Sequence, residues 1–214
     1  APARSLQSMP MKNFDVQVLG AGIVGRSLAL ALARAGLSVA LRPEAARAPD
    51  AADVRAYALN AASVALLQGL KVWDALPAHA ATPVLDMHVQ GDAHASAIDF
   101  SAWQQQVGAL AWITDAAVLE RELATAVRFA PHITVLETAE PATAALTALC
   151  EGKASATRES LGIAFERVDY GHKAIAARLQ STRAHQGIAR QWFRAPDVLA
   201  LLPFDTPQPQ QSFA

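Results

Sequence analysis

The chain has 214 residues, of which 52% are hydrophobic and 17% are charged, and its net charge is −1. This length suits one large domain, or one domain and part of a second. The near-zero net charge and the absence of a lysine- or arginine-rich run argue against nucleic acid as a partner. Cys150 is the only cysteine, which excludes a disulfide within the chain. We therefore expect a reducing, cytoplasmic location.

The segment from Val16 to Leu41 has the pattern of a strand, a glycine turn, a helix and a second strand. In a dinucleotide-binding turn the first glycine, here Gly20, permits the tight bend, and the second, Gly22, lets the backbone approach phosphate oxygens. The third, Gly25, lets the helix pack closely on the strand. The helix N-terminus then offers free N–H groups to the phosphates. The predicted elements are a strand at Val16–Leu19, a helix at Gly22–Ala35 and a strand at Ser38–Leu41.

The rest of the chain alternates between helical and strand-like hydrophobic patterns. Arg42–Asp53 is rich in proline, alanine and charge, and we interpret it as a loop. Ser160–Gln180 is strand-like in parts. The predicted helices are Arg55–Leu70, with Asn60 or Ser63 as a cap, and Ile113–Phe129. The predicted strands are Pro83–Val89, Ala97–Phe100, Ile133–Leu136, Leu146–Cys150 and Val198–Leu202.

Several segments beyond the glycine turn share the order seen in one protein family. They are Asp53–Asn60 with Ser63 and Leu66-Leu67, then Leu70–Trp73, Val118–Leu123, Glu151–Arg158, Tyr170, His185, Trp192-Phe193 and Leu199–Pro203. Together they resemble the FAD-dependent aromatic hydroxylases (class A flavin monooxygenases), in particular the 2-polyprenyl-phenol hydroxylases of ubiquinone biosynthesis. The resemblance covers nearly the whole chain from Asp15, but only about the first half of a family member.

The resemblance implies FAD as the cofactor and NAD(P)H as a co-substrate. It places the three glycines of the turn at the phosphates, two arginines along the flavin, and a Glu-Gly pair near both the flavin and the nicotinamide nucleotide. An acidic residue after the second strand would accept hydrogen bonds from the ribose. The implied cofactor-binding residues are Gly20, Gly22, Gly25, Glu44, Arg55, Arg121, Glu151 and Gly152.

Three features depart from the family pattern. At the end of the second strand, where the family has its ribose-binding acid, this chain has Arg42 and Pro43, and Glu44 follows slightly late. Either Glu44 reaches the ribose or that contact is absent. Glu151 replaces an aspartate and is one methylene longer. The family's later Gly-Asp motif has no counterpart before Ala214, so we interpret the chain as a fragment or as a sequence from which segments are missing.

The expected fold class is α/β, a Rossmann-like FAD-binding domain with a partial β-sheet substrate domain. We expect a leader or disordered terminus at 1–14 and the FAD-binding domain at 15–80 and 104–162. The truncated substrate sheet would comprise 81–103 and 163–214. The resemblance implies that the aromatic ring lies against the sheet formed by Pro83–Phe100 and Ala174–Leu202.

The activity implied by the resemblance is monooxygenation. NAD(P)H would reduce the flavin, and one oxygen atom of dioxygen would then be transferred to a small aromatic, polyprenyl-phenol-like substrate. The protein would hold the flavin and the ring in register and exclude water. The catalytic residues and the oligomeric state stay unknown. A prenylated substrate is compatible with peripheral membrane association or with a place in a biosynthetic complex.

Two other functions fit the same residues. The first is an oxidoreductase that uses NAD(P) directly in the glycine turn, with Arg42 meeting the 2′-phosphate of NADP. The second is a non-catalytic dinucleotide-binding scaffold, which the truncation and Pro43 favour. The six histidines show no metal-ligand spacing, so we expect no metal site.

Overall fold

A computed structural model describes residues 12–44, 53–93, 96–137 and 140–214. The described strands, in chain order, are β1 (Lys12–Leu19), β2 (Val39–Arg42), β3 (Ala56–Leu59), β4 (Ala81–Val84), β5 (Asp86–Gln90), β6 (Ala97–Ser101), β7 (Ala111–Asp115), β8 (Ile133–Val135), β9 (Ala142–Leu149), β10 (Leu179–Gln180), β11 (Ile188–Arg194), β12 (Asp197–Leu201), β13 (Pro203–Phe204) and β14 (Ser212–Phe213). The α-helices are α1 (Ile23–Arg34), α2 (Ala61–Gly69), α3 (Ala116–Phe129) and α4 (Ala156–Ser160). Short 3-10 helices are at Trp73–Ala75, Ala78–Ala80 and Gly152–Ala154.

The chain divides into two compact units, each with its own sheets. The first unit comprises the described residues of Ala1–Ala48 and Leu123–Arg167, and the second comprises those of Pro49–Glu122 and Val168–Ala214. The division falls within α3. Of the leader or disordered terminus expected at 1–14, residues 1–11 lie outside the described residues. The domain boundaries expected from the sequence remain predictions.

The first unit is built on a four-stranded sheet in which all neighbouring strands are parallel. The strand order is β8-β2-β1-β9. The chain therefore steps outward from β1 through β2 to β8 and then returns to the other side of β1 with β9. This reversal makes a topological switch point between β1 and β9, and open α/β sheets bind ligands beyond the carboxyl ends of the strands at such a point.

The helix α1 packs on this sheet through small and apolar side chains. Ala29, Leu30 and Ala33 are buried on it, at the spacing of one helical face. The helix ends at Arg34, and the N–H of Gly36 donates to the Ala33 carbonyl (3.0 Å), as glycine commonly does just past a helix end. The predicted strand, glycine turn, helix and second strand are therefore confirmed as one supersecondary unit.

Two strands of the first unit are longer than predicted. β1 begins at Lys12 rather than Val16, because its first residues pair with the start of β9. β9 begins at Ala142 rather than Leu146. The predicted strand there is buried, but Leu146 is 61% exposed. The reason is that β9 is an edge strand of the sheet and is more solvated than the central strands.

The second unit holds three small sheets. Their strand orders are β12-β11-β5-β6, β3-β7-β4 and β10-β14-β13. β11 and β5 are parallel, whereas the other described neighbours in these sheets are antiparallel. Val84, Ile113, Ala189 and Phe204 form one buried apolar cluster. Because these residues come from all three sheets, the cluster is the core that joins them.

A buried histidine ties together the segments around β11, β13 and β14. His185 is fully buried, and its Nε2 lies 3.2 Å from Oδ1 of Asp205. The N–H of Gly187 donates to Nδ1 of the same ring (3.0 Å), so the geometry assigns the ring proton to Nε2. The ring of Phe213 packs edge-on against the imidazole at 5.7 Å. Both ring nitrogens therefore have partners, which buried polar groups require.

Two predicted helices begin later than expected, because a strand precedes each of them. The predicted helix Arg55–Leu70 is β3 followed by α2. The Asn60 side chain accepts a hydrogen bond from a backbone N–H of α2 (2.9 Å), which confirms Asn60 as the cap. The predicted helix Ile113–Phe129 is the end of β7 followed by α3. Its first two residues lie buried between β3 and β4, where β-branched side chains favour a strand.

One further prediction is wrong in detail, and another is confirmed for a small part of its range. The predicted strand Pro83–Val89 is divided at Leu85 into β4 and β5, which belong to different sheets. Ser160–Gln180, which we predict to be strand-like in parts, contains the short strand β10 at its end. Residues 163–178 form neither helix nor strand, and Tyr170 is 84% exposed. An alternating pattern makes a strand only where a neighbour supplies hydrogen bonds. Residues 45–52 of the predicted loop lie outside the described residues.

The predicted α/β class, with a Rossmann-like parallel sheet and additional smaller sheets, is confirmed. Within the described ranges, no helix combines the length and the apolar character needed to cross a bilayer.

Candidate dinucleotide-binding site

The glycine turn lies at the carboxyl end of β1, beside the switch point of the sheet. Gly20 directly follows β1, and α1 begins at Ile23 after Gly22. The ends of β2 and β9 flank this position: the N–H of Gly20 donates to the Arg42 carbonyl (2.9 Å), and the N–H of Cys150 donates to the carbonyl that ends β1 (2.7 Å). The turn is therefore fixed from both neighbouring strands.

Two of the three glycines are required by packing. Gly20 has a φ of +98°, and a Cβ there would lie 2.4 Å from the carbonyl oxygen of Cys150. At Gly25 a Cβ would lie 1.8 Å from the carbonyl oxygen of Gly20. Both neighbours are backbone atoms, which cannot swing aside as a flexible side chain can. These two positions therefore hold α1 tightly against the turn and against the end of β9.

The remaining glycine of the turn, Gly22, is open and leaves space for a ligand. Gly22 is exposed, and a Cβ built on it would meet no heavy atom within 4 Å. It caps α1 without a side-chain hydrogen bond, and the first turn of α1 carries no acidic residue. The first N–H groups of a helix have no partner within the helix. This end of α1 therefore suits an anion, and a pyrophosphate fits the donors that it presents.

At the end of β2, Arg42 is held by hydrogen bonds, whereas Glu44 just beyond the strand is exposed. The Arg42 guanidinium donates to the carbonyl oxygens of Glu137 (3.0 Å) and Glu140 (2.6 Å). Glu44 lies two residues beyond β2 at the same carboxyl edge as Gly20, and it is exposed. The structure thus gives Arg42 a role in holding the chain after β8, whereas Glu44 is accessible from solvent.

Glu151 and Gly152 follow β9 next to the glycine turn. Both carboxylate oxygens of Glu151 accept hydrogen bonds from hydroxyls at the start of α4, one from Ser155 and one from Thr157 (2.8 Å). The bond from Ser155 is the main reason that the pKa of Glu151 lies below its usual range. Toward Gly20 this segment presents backbone atoms.

In the second unit, Arg55 lies between two carboxylates. Its guanidinium makes a two-point ion pair with Asp53, with Nε at 2.8 Å and Nη2 at 2.7 Å, and Nη2 also lies 3.2 Å from Glu120. Its Nη1 donates to the Tyr57 hydroxyl (3.2 Å). The hydrogen bond from Arg55 lowers the pKa of Asp53 to about 2, and the pKa of Arg55 is raised in return. The side chain stays 55% exposed, so it is held in place and still accessible.

Arg121 follows Glu120 on α3. Its Nε lies 3.1 Å from the carboxylate of Glu122, and its side chain is 60% exposed. Glu120 is the ion-pair partner of Arg55. Arg121 is therefore adjacent in sequence to a residue that contacts Arg55.

A cleft of about 650 Å³ lies beside Arg55 in the second unit. It is lined by Val54 and Ala56, by residues 173–177, by Leu179, by residues 197–202 and by Ala214. Most of these side chains are apolar, and Lys173 and Asp197 are the charged ones. Most of the lining comes from the second of the two ranges predicted to hold the aromatic ring, Ala174–Leu202, whereas Val54, Ala56, Lys173 and Ala214 lie outside it and no lining residue comes from Pro83–Phe100.

Three residues of this region were missed in the sequence. Asp53 and Glu120 are the partners of Arg55, and a carboxylate two residues before an arginine is a local signal for such a pair. Arg178 lies in the otherwise apolar run from Ala174 to Leu179 and contacts the Arg55 carbonyl. Across the described residues, no cluster of three or more histidine, cysteine, aspartate or glutamate side chains could hold a metal ion.

Comparison with family models matches residues 13–140 to the FAD binding domain. This range covers more than half of the chain, and it contains the glycine turn, Arg55 and Arg121.

Two curated relatives are ubiquinone-pathway hydroxylases by name. The ubiquinone hydroxylase UbiL of Rhodospirillum rubrum is 28% identical over 215 residues, which cover 90% of this chain and 49% of that protein. The 3-demethoxyubiquinol 3-hydroxylase of Escherichia coli K12 is 35% identical over 127 residues, or 56% of this chain and 32% of that protein. The chain thus spans about half the length of the first of these relatives and about a third of the second.

Solved structures share the fold. PqsL of Pseudomonas aeruginosa, in complex with 2-aminobenzoylacetate, matches with a TM-score of 0.73 at 16% identity, covering 94% of this chain and 59% of that one. The p-nitrophenol 4-monooxygenase PnpA of Pseudomonas putida DLL-E4 matches with a TM-score of 0.70 at 17% identity, covering 95% and 57%. Given the extent of the family match and the geometry of the glycine turn, this chain belongs to the FAD binding domain family.

Proposed function

We propose that the chain binds FAD and forms the cofactor-binding part of a monooxygenase that hydroxylates a polyprenyl-phenol-like ring with NAD(P)H and dioxygen. The observation that carries the proposal is the open N-terminus of α1 at Gly22, placed at the switch point of a parallel sheet. It lies inside the stretch that matches the FAD binding domain family. The names of the curated relatives support the class of substrate.

The residues of the first unit would bind the dinucleotide. The first N–H groups of α1 would donate to the pyrophosphate, and Gly22 would allow the close approach because it carries no side chain. Glu44 would accept hydrogen bonds from the ribose hydroxyls, since it is exposed at the same edge of the sheet. Bound FAD supplies the electron transfer and the activation of dioxygen.

The residues of the second unit would contribute charge and shape. Arg55 would present a fixed positive charge along the flavin, because two carboxylates already hold its guanidinium in place. Arg121 would add a second positive charge from α3. The apolar cleft beside Ala56 would bind the aromatic ring and keep water away from it. A polyprenyl tail partitions into lipid, so we also propose that the protein associates peripherally with a membrane.

The rival use of the glycine turn for NADP is weakened by one contact set. Arg42 would have to meet the 2′-phosphate, but its guanidinium donates to two backbone carbonyls after β8. Moving the side chain would leave both carbonyls without these donors. Binding the 2′-phosphate of NADP through Arg42 would therefore break two hydrogen bonds to backbone carbonyls. FAD binding does not require Arg42 to move.

The test of cofactor binding is titration of the purified chain with FAD, followed by quenching of flavin fluorescence. Arg55→Ala should raise the Kd for FAD about tenfold, the effect expected for one charge-assisted contact. Arg34→Ala is the matched control, since it removes the same charge from the far end of α1, and its Kd should stay unchanged. A chain that binds NADPH but no FAD would establish the rival function, and one that binds neither would indicate a scaffold.

The test of activity is oxygen-dependent oxidation of NAD(P)H by the FAD-loaded chain. Phenols with and without a prenyl tail are added, and the hydroxylated product is identified by mass spectrometry. We expect the prenylated phenol to stimulate NAD(P)H oxidation more than the bare phenol does. Absence of stimulation by every phenol tried would refute hydroxylase activity of this chain while leaving FAD binding intact.

A further inference from the structure

Arg178 places a charged group against the buried core of the second unit. Its guanidinium carbon lies 3.8 Å from the centroid of the Phe204 ring, which belongs to the core and is 1% exposed. The Arg178 side chain is 20% exposed, and its Nη1 is buried without a hydrogen-bond partner among the described residues. Burial lowers the pKa of Arg178. Placing a charge here costs free energy that an apolar residue would not cost.

The remaining contacts of Arg178 converge on the backbone at Arg55. Its Nη2 donates to the Arg55 carbonyl oxygen (2.9 Å), and the same carbonyl accepts the N–H of Ala116 at the start of α3 (3.2 Å). Nη2 also lies 3.5 Å from Oδ2 of Asp115, whose Oδ1 accepts the N–H of Val118 (3.1 Å). One guanidinium thus joins the residue before β3 to the N-terminus of α3.

These contacts hold the backbone of Arg55, and thereby the starting point of its side chain. The Arg55 guanidinium then reaches Asp53 on its own segment and Glu120 on α3. A shift of the Arg55 carbonyl or of the first turn of α3 would therefore change the distance between Arg55 and Glu120. Neither a neutral side chain nor a lysine reproduces both the stacking on Phe204 and the planar donor of the guanidinium.

We infer that Arg178 is a positioning residue that acts through Arg55, holding its backbone and its ion pairs in the geometry that presents the guanidinium to the flavin. This inference rests on the proposed function, in which Arg55 lies along bound FAD. Ala177 and Leu179, its two neighbours in the chain, line the cleft beside Ala56. Arg178 therefore also fixes the segment that forms one wall of this cleft.

The test is a double-mutant cycle on FAD binding by the full chain. Arg178→Met should raise the Kd for FAD about tenfold, the effect of one charge-assisted hydrogen bond. Arg183→Met, which removes an exposed arginine of the same unit, is the control and should change the Kd less than about twofold. In the Arg55→Ala background, Arg178→Met should have almost no further effect, because its action passes through Arg55. Equal losses in both backgrounds, or no loss in either, would overturn the inference.

A second readout does not need FAD. The ion pair with Arg55 lowers the pKa of Asp53 to about 2, so a carboxyl titration of the cofactor-free chain by NMR reports whether Arg55 stays in place. The charge of Arg178 itself also lowers the pKa of Asp53. Arg178→Met should therefore bring this pKa back toward its usual value for two reasons, and Arg178→Lys, which keeps the charge, isolates the part that passes through Arg55. Arg183→Met should leave the pKa unchanged. If the unaltered chain takes up no FAD, the proposed function fails. The Asp53 titration then decides the positioning role alone, and an unchanged value in Arg178→Met would overturn it.

A conservative variant covers the case in which Arg178→Met does not fold. Arg178→Lys keeps the charge and one donor but loses the planar group over Phe204. It should shift the FAD affinity and the Asp53 titration in the same direction by a smaller amount. If a folded Arg178→Lys protein has the wild-type FAD affinity and the wild-type Asp53 titration, charge alone is sufficient. That result would refute positioning by the planar guanidinium group.

Discussion

Gly25→Ala and Gly22→Ala should separate the packing role of the glycine turn from its ligand-binding role. At Gly25 the new Cβ would lie 1.8 Å from the carbonyl oxygen of Gly20, whereas Cβ atoms essentially never approach closer than 3.0 Å. The helix or the turn must therefore move by more than about 1 Å. Overpacking against a rigid neighbour costs roughly 1–3 kcal/mol, so we expect a loss near the upper end, about 3 kcal/mol. For a chain of this size that is a fall in Tm of about 6–12 °C.

At Gly22 the expected result is the reverse. The new methyl group would meet no protein atom within 4 Å, and a change of cap residue costs about 1 kcal/mol or less here, because Gly22 makes no side-chain cap bond. The methyl group would nevertheless occupy the space through which the backbone approaches phosphate. We therefore expect the Kd for FAD to rise at least about tenfold while the fold is retained.

Urea unfolding followed by far-UV circular dichroism measures the stability of these variants, and flavin fluorescence measures their FAD affinity. Gly69→Ala is the matched control, since its Cβ also meets open space within α2, and it should be neutral or slightly stabilising in a helix. A Gly25→Ala protein as stable as wild type would refute the packing argument. A Gly22→Ala protein with unchanged FAD affinity would refute phosphate binding at this end of α1.

Three further changes test other contacts. Asp53→Asn should reduce the loss of stability on acidification between about pH 4 and pH 2. The carboxylate, whose folded pKa is about 2 against 3.8 for a free group, stabilises the fold above the higher value and loses that contribution as the pH falls. The midpoint of urea unfolding across this range checks it. Arg42→Ala should lower the free energy of unfolding by about 1–2 kcal/mol. It should not alter the ratio of NADPH to NADH affinity measured by calorimetry, and a changed ratio would support direct binding of NADP. His185→Ala should cost about 3 kcal/mol in a urea titration, because it leaves a cavity and removes a partner from Asp205; a loss below 1 kcal/mol would contradict its role.

The sequence was most informative where the signal is local. The glycine turn predicted β1, α1 and β2 because the spacing of the three glycines is set by atoms within a few residues of one another. Asn60 was predicted as a cap for the same reason, since its partner lies on the next turn of the chain. A Cβ at Gly20 or Gly25 would meet Cys150, however, and no local pattern reveals a neighbour that lies so far along the chain.

The sequence failed where a distant partner decides the outcome. Ile113 and Thr114 extend the helical periodicity of α3, but two flanking strands pair with them and make them part of β7. The cofactor-binding role expected for Glu151 stays a prediction; the sequence did not reveal that its carboxylate accepts hydrogen bonds from Ser155 and Thr157. The role of Arg178 depends on Phe204 and on the Arg55 carbonyl, which come together only in the folded second unit.

From the pairing of β1 with both β2 and β9 we expect an order in the folding of the first unit. β1, α1 and β2 are close in sequence and can associate as soon as they leave the ribosome. On its other side, β1 pairs with β9, which comes much later in the chain. The hydrogen bond from Thr143 to Asn13, for example, joins residues 130 positions apart. Contacts between such distant residues form slowly, and until they form β1 exposes an unpaired edge that can associate with other chains. Cys150, whose N–H donates to the last carbonyl of β1, follows directly after β9. We therefore expect the dinucleotide site to be among the last parts of the first unit to form during synthesis.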